Sequence, residues 1–113
     1  MQIQINTDRN IKGNEALAAQ VRDVVESALS RISDRITRVE VHLSDESGLN
    51  DKRCMMEARL KGLKPIAVTQ LAVTVDQAVT GAAGKLVRLI ENTLARLRDQ
   101  KGRKPNPPPP EID

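Results

Sequence analysis

Residues 75–99 constrain the fold most, because they predict one long helix with two chemically different faces. Apolar residues recur at helical spacing and make a continuous stripe of Val79, Ala83, Leu86, Val87, Ile90, Leu94 and Leu97. At about 100° per residue, the nearly opposite side carries what we call the helix ribbon: Lys85, Arg88, Asn92 and Arg96. The apolar stripe must be buried on another part of the protein, and the ribbon offers positive charge to a partner.

The rest of the chain supplies a sheet on which this helix can pack. Four segments have the pattern of β-strands: 2–6, 38–43, 53–61 and 66–73. In the second and third, apolar and polar residues alternate, which is typical of a sheet with one wet face. The polar segment 44–51 predicts a turn between them.

Two helices complete the predicted order β-α-β-β-β-α. Asn14 is a candidate N-cap for a first helix whose apolar side extends to Ile32, and Thr74 with Gln77 makes a capping-box pattern before the last helix. We therefore predict an α+β fold of two layers, a four-stranded sheet with both helices on one face. This domain covers residues 1–99. The basic, proline-rich tail, 100–113, is expected to be disordered.

Gly81 and Gly84 interrupt the last helix, at a cost of about 1 kcal/mol each relative to Ala. They indicate either a close approach to the helix surface or no structural role. They do not form a Walker phosphate loop, because Val79 and Leu86 stand where that motif requires Gly and Ser or Thr.

Composition excludes several classes of function. The chain has one cysteine, Cys54, so an internal disulfide is impossible and we expect a cytoplasmic protein. Neither a secretory signal nor a run of 18 apolar residues is present, so no membrane association is expected. Phe, Tyr and Trp are absent, which argues against RNA recognition by base stacking and favours contacts to phosphates.

No catalytic constellation is recognisable. His42, the sole histidine, is predicted to lie on the wet face of a strand, and Cys54 on the core face. A catalytic triad or a histidine-based metal site would lack members. We therefore expect no enzyme, no cofactor, no metal and no small-molecule substrate.

The positive charge is concentrated near the C-terminus. The whole chain carries a net charge of only +3. Residues 85–104, however, hold seven basic residues and two acidic ones: Lys85, Arg88, Arg96, Arg98, Lys101, Arg103 and Lys104 against Glu91 and Asp99. A second basic cluster lies in the third strand and the turn after it, at Arg53, Arg59, Lys61 and Lys64. A solvated helix face is the simplest interpretation, but the scarcity of acidic partners favours a binding surface.

Several segments match a known family pattern in order and spacing. They are the Met1-Gln2-Ile3 strand, the Asn14-Glu15-Ala16-Leu17 helix start, Asp34-Arg35-Ile36, and the ungapped stretch 66–98 with Ala78, Lys85, Leu86 and Arg88. Through these, the chain resembles the short ribosome hibernation factors, called hibernation promoting factor, ribosome-associated inhibitor A or sigma-54 modulation protein.

The resemblance implies a bacterial stress or stationary-phase protein that binds the small ribosomal subunit in the mRNA and tRNA channel and inhibits translation. Its basic side chains would contact rRNA phosphates, and it would act as a monomer without catalysis. The implied contacts are Lys85, Arg88, Arg96 and Arg98, and we add Arg53, Arg59 and Lys61 as candidates.

A second hypothesis stays open, since Asn92 and Leu94 stand where the family often has Lys. A divergent member that does not bind rRNA would serve as a protein-interaction module. Its contacts would be the exposed sheet face, the polyproline tail or both.

Overall fold

The computed structural model describes residues 1–9, 11–45 and 51–102, with side chains as far as Asp99. The elements in chain order are β1 (Gln2–Thr7), α1 (Glu15–Leu29), a 3₁₀ segment (Ser30–Arg35), β2 (Ile36–Asp45), β3 (Lys52–Leu60), β4 (Ile66–Ala72) and α2 (Val75–Gly102). The predicted order β-α-β-β-β-α is confirmed.

The four strands form one mixed sheet in the order β1-β2-β3-β4. β1 runs parallel to β2, while β2 with β3 and β3 with β4 are antiparallel. Val39, Val41 and Leu43 lie opposite Ala58, Met56 and Cys54 in register, and all six are buried. A register shift between Ile36 and Arg38 adds one residue to β2. Ile36 is therefore buried as well, out of step with the alternation that follows it.

Both helices pack on this apolar face, as predicted. Their buried residues belong to one core cluster with those of β2 and β3, and α2 packs against β3, β4 and α1. In α2, Val79, Leu86 and Ile90 are at most 1% exposed. Ala78 and Ala82 are fully buried too, although they lie outside the predicted stripe. Small side chains at these two positions let the first half of α2 lie close to the sheet.

The helix starts follow the predicted capping chemistry. The Leu17 N–H donates to Asn14 Oδ1 at 2.8 Å, and the Gln77 N–H donates to Thr74 Oγ1 at 3.1 Å. The predicted end of the first helix was wrong by one turn, because α1 ends at Leu29 and a 3₁₀ segment follows. In that turn the Ser30 and Ser33 hydroxyls donate to carbonyls three residues back, at 3.2 and 3.3 Å. Such local bonds favour the tighter helix.

The second helix continues to Gly102, three residues beyond the predicted boundary at Asp99. The rest of the predicted tail, 103–113, and most of the predicted turn, 46–50, lie outside the described residues. No helix within the described ranges is long and apolar enough to cross a membrane.

Gly81 marks a close approach between α2 and β4, which was one of the two interpretations of the helical glycines. A Cβ at Gly81 would lie 2.8 Å from Gln70 Cγ, whereas a Cβ at Gly84 would meet nothing within 4 Å. The absence of a side chain thus serves packing at the first position only.

We expect the two glycines to respond differently to alanine. Gly84→Ala should raise the free energy of unfolding by about 0.5–1 kcal/mol, because alanine lowers the entropy lost on forming a helix. Gly81→Ala should gain less or destabilise, because Gln70 would have to leave the position from which its amide donates to the Leu71 carbonyl at 2.9 Å. Urea unfolding of the two variants beside the parent chain measures both effects. Equal stabilisation by both would contradict the close approach at Gly81.

Candidate nucleic-acid interface

The helix ribbon lies on one exposed side of α2. Lys85, Arg88, Asn92 and Arg96 are all exposed and follow one another at intervals of three, four and four residues. At about 1.5 Å of rise per residue, the ribbon extends roughly 16 Å along the helix. The ribbon residues face solvent because the buried residues of α2 fix the rotation of the helix on the sheet.

The cations of the ribbon are not neutralised by carboxylates in the described part of the chain. There, Lys85, Arg88, Arg96 and Arg98 form no ion pair. Glu91, the acid between Arg88 and Asn92 in sequence, instead accepts a hydrogen bond from Arg31 at 3.3 Å and links α2 to the 3₁₀ segment. The positive charge of the ribbon therefore faces solvent.

Among the ribbon residues, only Lys85 forms a side-chain hydrogen bond within the part of the chain that the structure describes. Its Nζ donates to the Thr69 carbonyl of β4 at 2.9 Å. An ammonium has three donors, so this bond leaves capacity for an external acceptor. The contact also places the ribbon on the β4 side of the molecule, the side that Gly81 occupies one turn earlier in α2.

Arg98 and Lys61 belong to a different surface, an open groove between α2, the 3₁₀ segment and the β3–β4 turn. Arg31 and Arg35 line the same groove, whose apolar floor includes Leu60 and Leu94. A backbone bond from the Lys61 N–H to the Arg35 carbonyl, 3.2 Å long, holds two of these cationic residues side by side. Sequence reasoning missed Arg31 and Arg35, since only the packing of the 3₁₀ segment beside α2 brings them to Arg98.

Arg53 and Arg59 lie on the open face of the sheet, away from both helices. They alternate along β3 with the buried residues Cys54 and Ala58, so they point to the opposite side. Arg59 lies 3.9 Å from Glu57, in a face where Glu40 also contacts Arg38 and His42. The seven predicted contact residues are thus divided among three surfaces: the ribbon, the groove and the open face.

His42 and Cys54, the residues considered for catalysis, lie on the open face of the sheet and in the core, respectively. His42 lies on the open face with Nε2 3.5 Å from Glu40, and Cys54 is fully buried. Burial raises the pKa of the Cys54 thiol from 9.0 to about 12, which keeps it in the unreactive protonated form at neutral pH. Within the described ranges, no three His, Cys, Asp or Glu side chains are grouped to hold a metal ion.

Fold and site together define a two-layer α+β domain with an unneutralised cationic helix face. The family model described as Sigma 54 modulation protein / S30EA ribosomal protein matches residues 3–98, so the chain belongs to that family. A comparison with curated protein sequences gives no match.

Two solved structures are similar to this chain. The first is a ribosomal subunit interface protein from Coxiella burnetii, at 19% identity and a TM-score of 0.68, covering 84% of this chain and 99% of its own. The second is the N-terminal domain of Protein Y from Thermus thermophilus, at 25% identity and a TM-score of 0.62, covering 82% and 99%. The Coxiella likeness is one of fold alone.

Proposed function

We propose that this protein binds the small ribosomal subunit and inhibits translation by occupying the channel of mRNA and tRNA. The mechanism is steric exclusion during stress or stationary phase, in the cytoplasm, by a monomer that needs no cofactor. Family membership supports ribosome association, because the matching family model is described as Sigma 54 modulation protein / S30EA ribosomal protein. The observation that carries the proposal for this chain is the exposed helix ribbon, whose cations have no acidic partner among the described residues.

The chemistry of the ribbon suits rRNA phosphates better than bases. Lys85, Arg88 and Arg96 provide ammonium and guanidinium donors, which make charge-assisted hydrogen bonds to phosphate oxygens. The chain has no aromatic ring on which a base could stack. Affinity would therefore come from charge and from the shape of the rRNA surface.

The groove would supply a second contact. Arg98 and Lys61 line the groove and not the ribbon, so an RNA that contacts both must reach two surfaces of the domain. A folded rRNA surface offers phosphates on several sides, as the walls of a channel do. A short single strand does not.

Salt dependence tests the electrostatic part of the proposal. If Lys85, Arg88, Arg96 and Arg98 neutralise four phosphates, the logarithm of the association constant with purified small subunits should fall against the logarithm of salt concentration with a slope of about −3. Co-sedimentation at several salt concentrations gives this slope. Affinity that barely changes with salt would instead favour the protein-interaction module.

A second measurement tests association in cells. Tagged protein from growing and starved cultures should migrate with ribosomal particles on a sucrose gradient in the starved sample. Migration only at the top of the gradient in both samples would exclude ribosome binding under these conditions.

A further inference from the structure

β4 is an edge strand without the usual protection of an edge. It pairs only with β3 among the described strands. Native edge strands are commonly protected by charges, prolines or bulges, but the segment 66–75 has no charged residue and no proline. Leu71 and Val73 are 53% and 60% exposed. The segment 66–75 therefore lacks the residues that usually prevent another strand from pairing with an edge.

The outer carbonyls of β4 already accept hydrogen bonds from side chains. Lys85 Nζ donates to the Thr69 carbonyl and Gln70 Nε2 to the Leu71 carbonyl, both at 2.9 Å. Residues two apart in an antiparallel strand direct their carbonyls to the same edge. These two side chains thus occupy positions where the N–H groups of a neighbouring strand would donate, and an added strand would displace both of them.

The two faces beside this edge differ in chemistry. On the helix side, Gly81, Lys85 and Arg88 lie on one side of α2, and the contacts of Gly81 with Gln70 and of Lys85 with Thr69 turn that side towards β4. On the open side, Leu71 offers an apolar contact. Because side chains alternate between the faces of a sheet, an added strand would present every second residue to Lys85 and Arg88.

The positive charge of Lys85 and Arg88 indicates which kind of strand could pair with the β4 edge. A second copy paired antiparallel about Thr69, the middle residue of β4, would bring Lys85 close to its own symmetry mate, and facing like charges are unfavourable. A segment with acidic residues at alternate positions meets the cations instead. We propose that the β4 edge binds an extended peptide in which acidic residues, facing Lys85 and Arg88, alternate with apolar residues that face Leu71.

A synthetic peptide tests this proposal on the full chain. The probe is a fluorescein-labelled peptide of alternating Glu and Val, seven residues long, and binding is followed by fluorescence polarisation. Leu71→Lys should weaken binding about tenfold or more, and Lys85→Gln should weaken it as well. Hydrogen exchange at the Thr69 and Leu71 amides should slow when the peptide is bound. Leu71 is half-exposed, so circular dichroism should show an intact fold in Leu71→Lys.

Matched probes separate the proposal from simple charge attraction. A peptide of alternating Lys and Val, or the Glu-Val peptide N-methylated at the residues facing the edge, should bind at least tenfold more weakly. Equal binding of either, or unchanged exchange at Thr69 and Leu71, would overturn the proposal. Concentration-dependent dimerisation that Leu71→Lys abolishes would assign the edge to a second copy and would also overturn it.

The proposed function is tested separately by the same variants. Leu71→Lys should still co-sediment with small subunits, because the ribbon is intact. Arg96→Glu should still bind the peptide, because Arg96 lies eleven residues further along α2 than Lys85, roughly 16 Å from the residue that contacts β4. Loss of peptide binding in Arg96→Glu would show general electrostatic attraction and would count against strand addition.

Discussion

Arg88→Glu together with Arg96→Glu should abolish co-sedimentation with the small ribosomal subunit. Each substitution removes a charge-assisted hydrogen bond to phosphate, worth about 1.5–3 kcal/mol, and adds a repulsive carboxylate. For two positions the expected loss is at least about a hundredfold in affinity. Both side chains are exposed and form no ion pair within the described residues, so the fold should not change. Lys85 is kept in this variant because it also bonds to Thr69.

The control changes the same number of charges elsewhere. Arg9→Glu with Lys12→Glu lies in the connection between β1 and α1, where both side chains are exposed. Each reversal changes the charge by −2, so either double variant goes from +3 to −1. The control should lose much less affinity. If the two variants bind small subunits equally well, the ribbon is not the rRNA contact.

Leu86→Ala should destabilise the domain by about 2–5 kcal/mol, the range found when a buried leucine is truncated and leaves a cavity. Leu86 is fully buried where α2 meets the sheet, between Val79 and Ile90 on the apolar stripe. For a domain of this size, each kcal/mol lowers the melting temperature by roughly 4–8 °C. A fall of about 10 °C or more is therefore expected in a thermal melt followed by circular dichroism.

Leu89→Ala is the matched control three residues further along the helix. Leu89 is 39% exposed, beside the ribbon, so the same truncation should cost well under half as much. Similar melting temperatures for the two variants would mean that α2 is not held on the sheet by its stripe. The orientation of the ribbon would then lose its physical basis.

The fold could be predicted because its signals are local and repetitive. Val39, Val41 and Leu43 alternate with polar residues, and Val79, Leu86 and Ile90 repeat at helical spacing, so each pattern specifies one apolar face. Two helices and a sheet with single apolar faces then have one economical arrangement. The end of α1 was predicted wrongly because two serine hydroxyls form local hydrogen bonds that favour 3₁₀ over α geometry. The spacing of apolar residues does not indicate which of these two helical geometries forms.

The residues of the site could be predicted less well from the sequence, because the site depends on which helices and strands contact one another. Strand alternation predicts one face for Arg53, Arg59 and Lys61, but β3 ends at Leu60 and the turn that follows takes Lys61 to the groove. Arg31 and Arg35 joined Lys61 and Arg98 only through tertiary packing. By contrast, the ribbon lies within a single helix. Its periodicity was therefore sufficient to predict which side chains share a face.

Because Cys54 is buried, the rate at which its thiol reacts can be used to measure how often the core opens. A thiol-reactive dye can modify this residue only after α2 lifts from β3, so the labelling rate at neutral pH should report that motion. For the same reason, an oxidant should not link two folded copies of the chain through this sulphur.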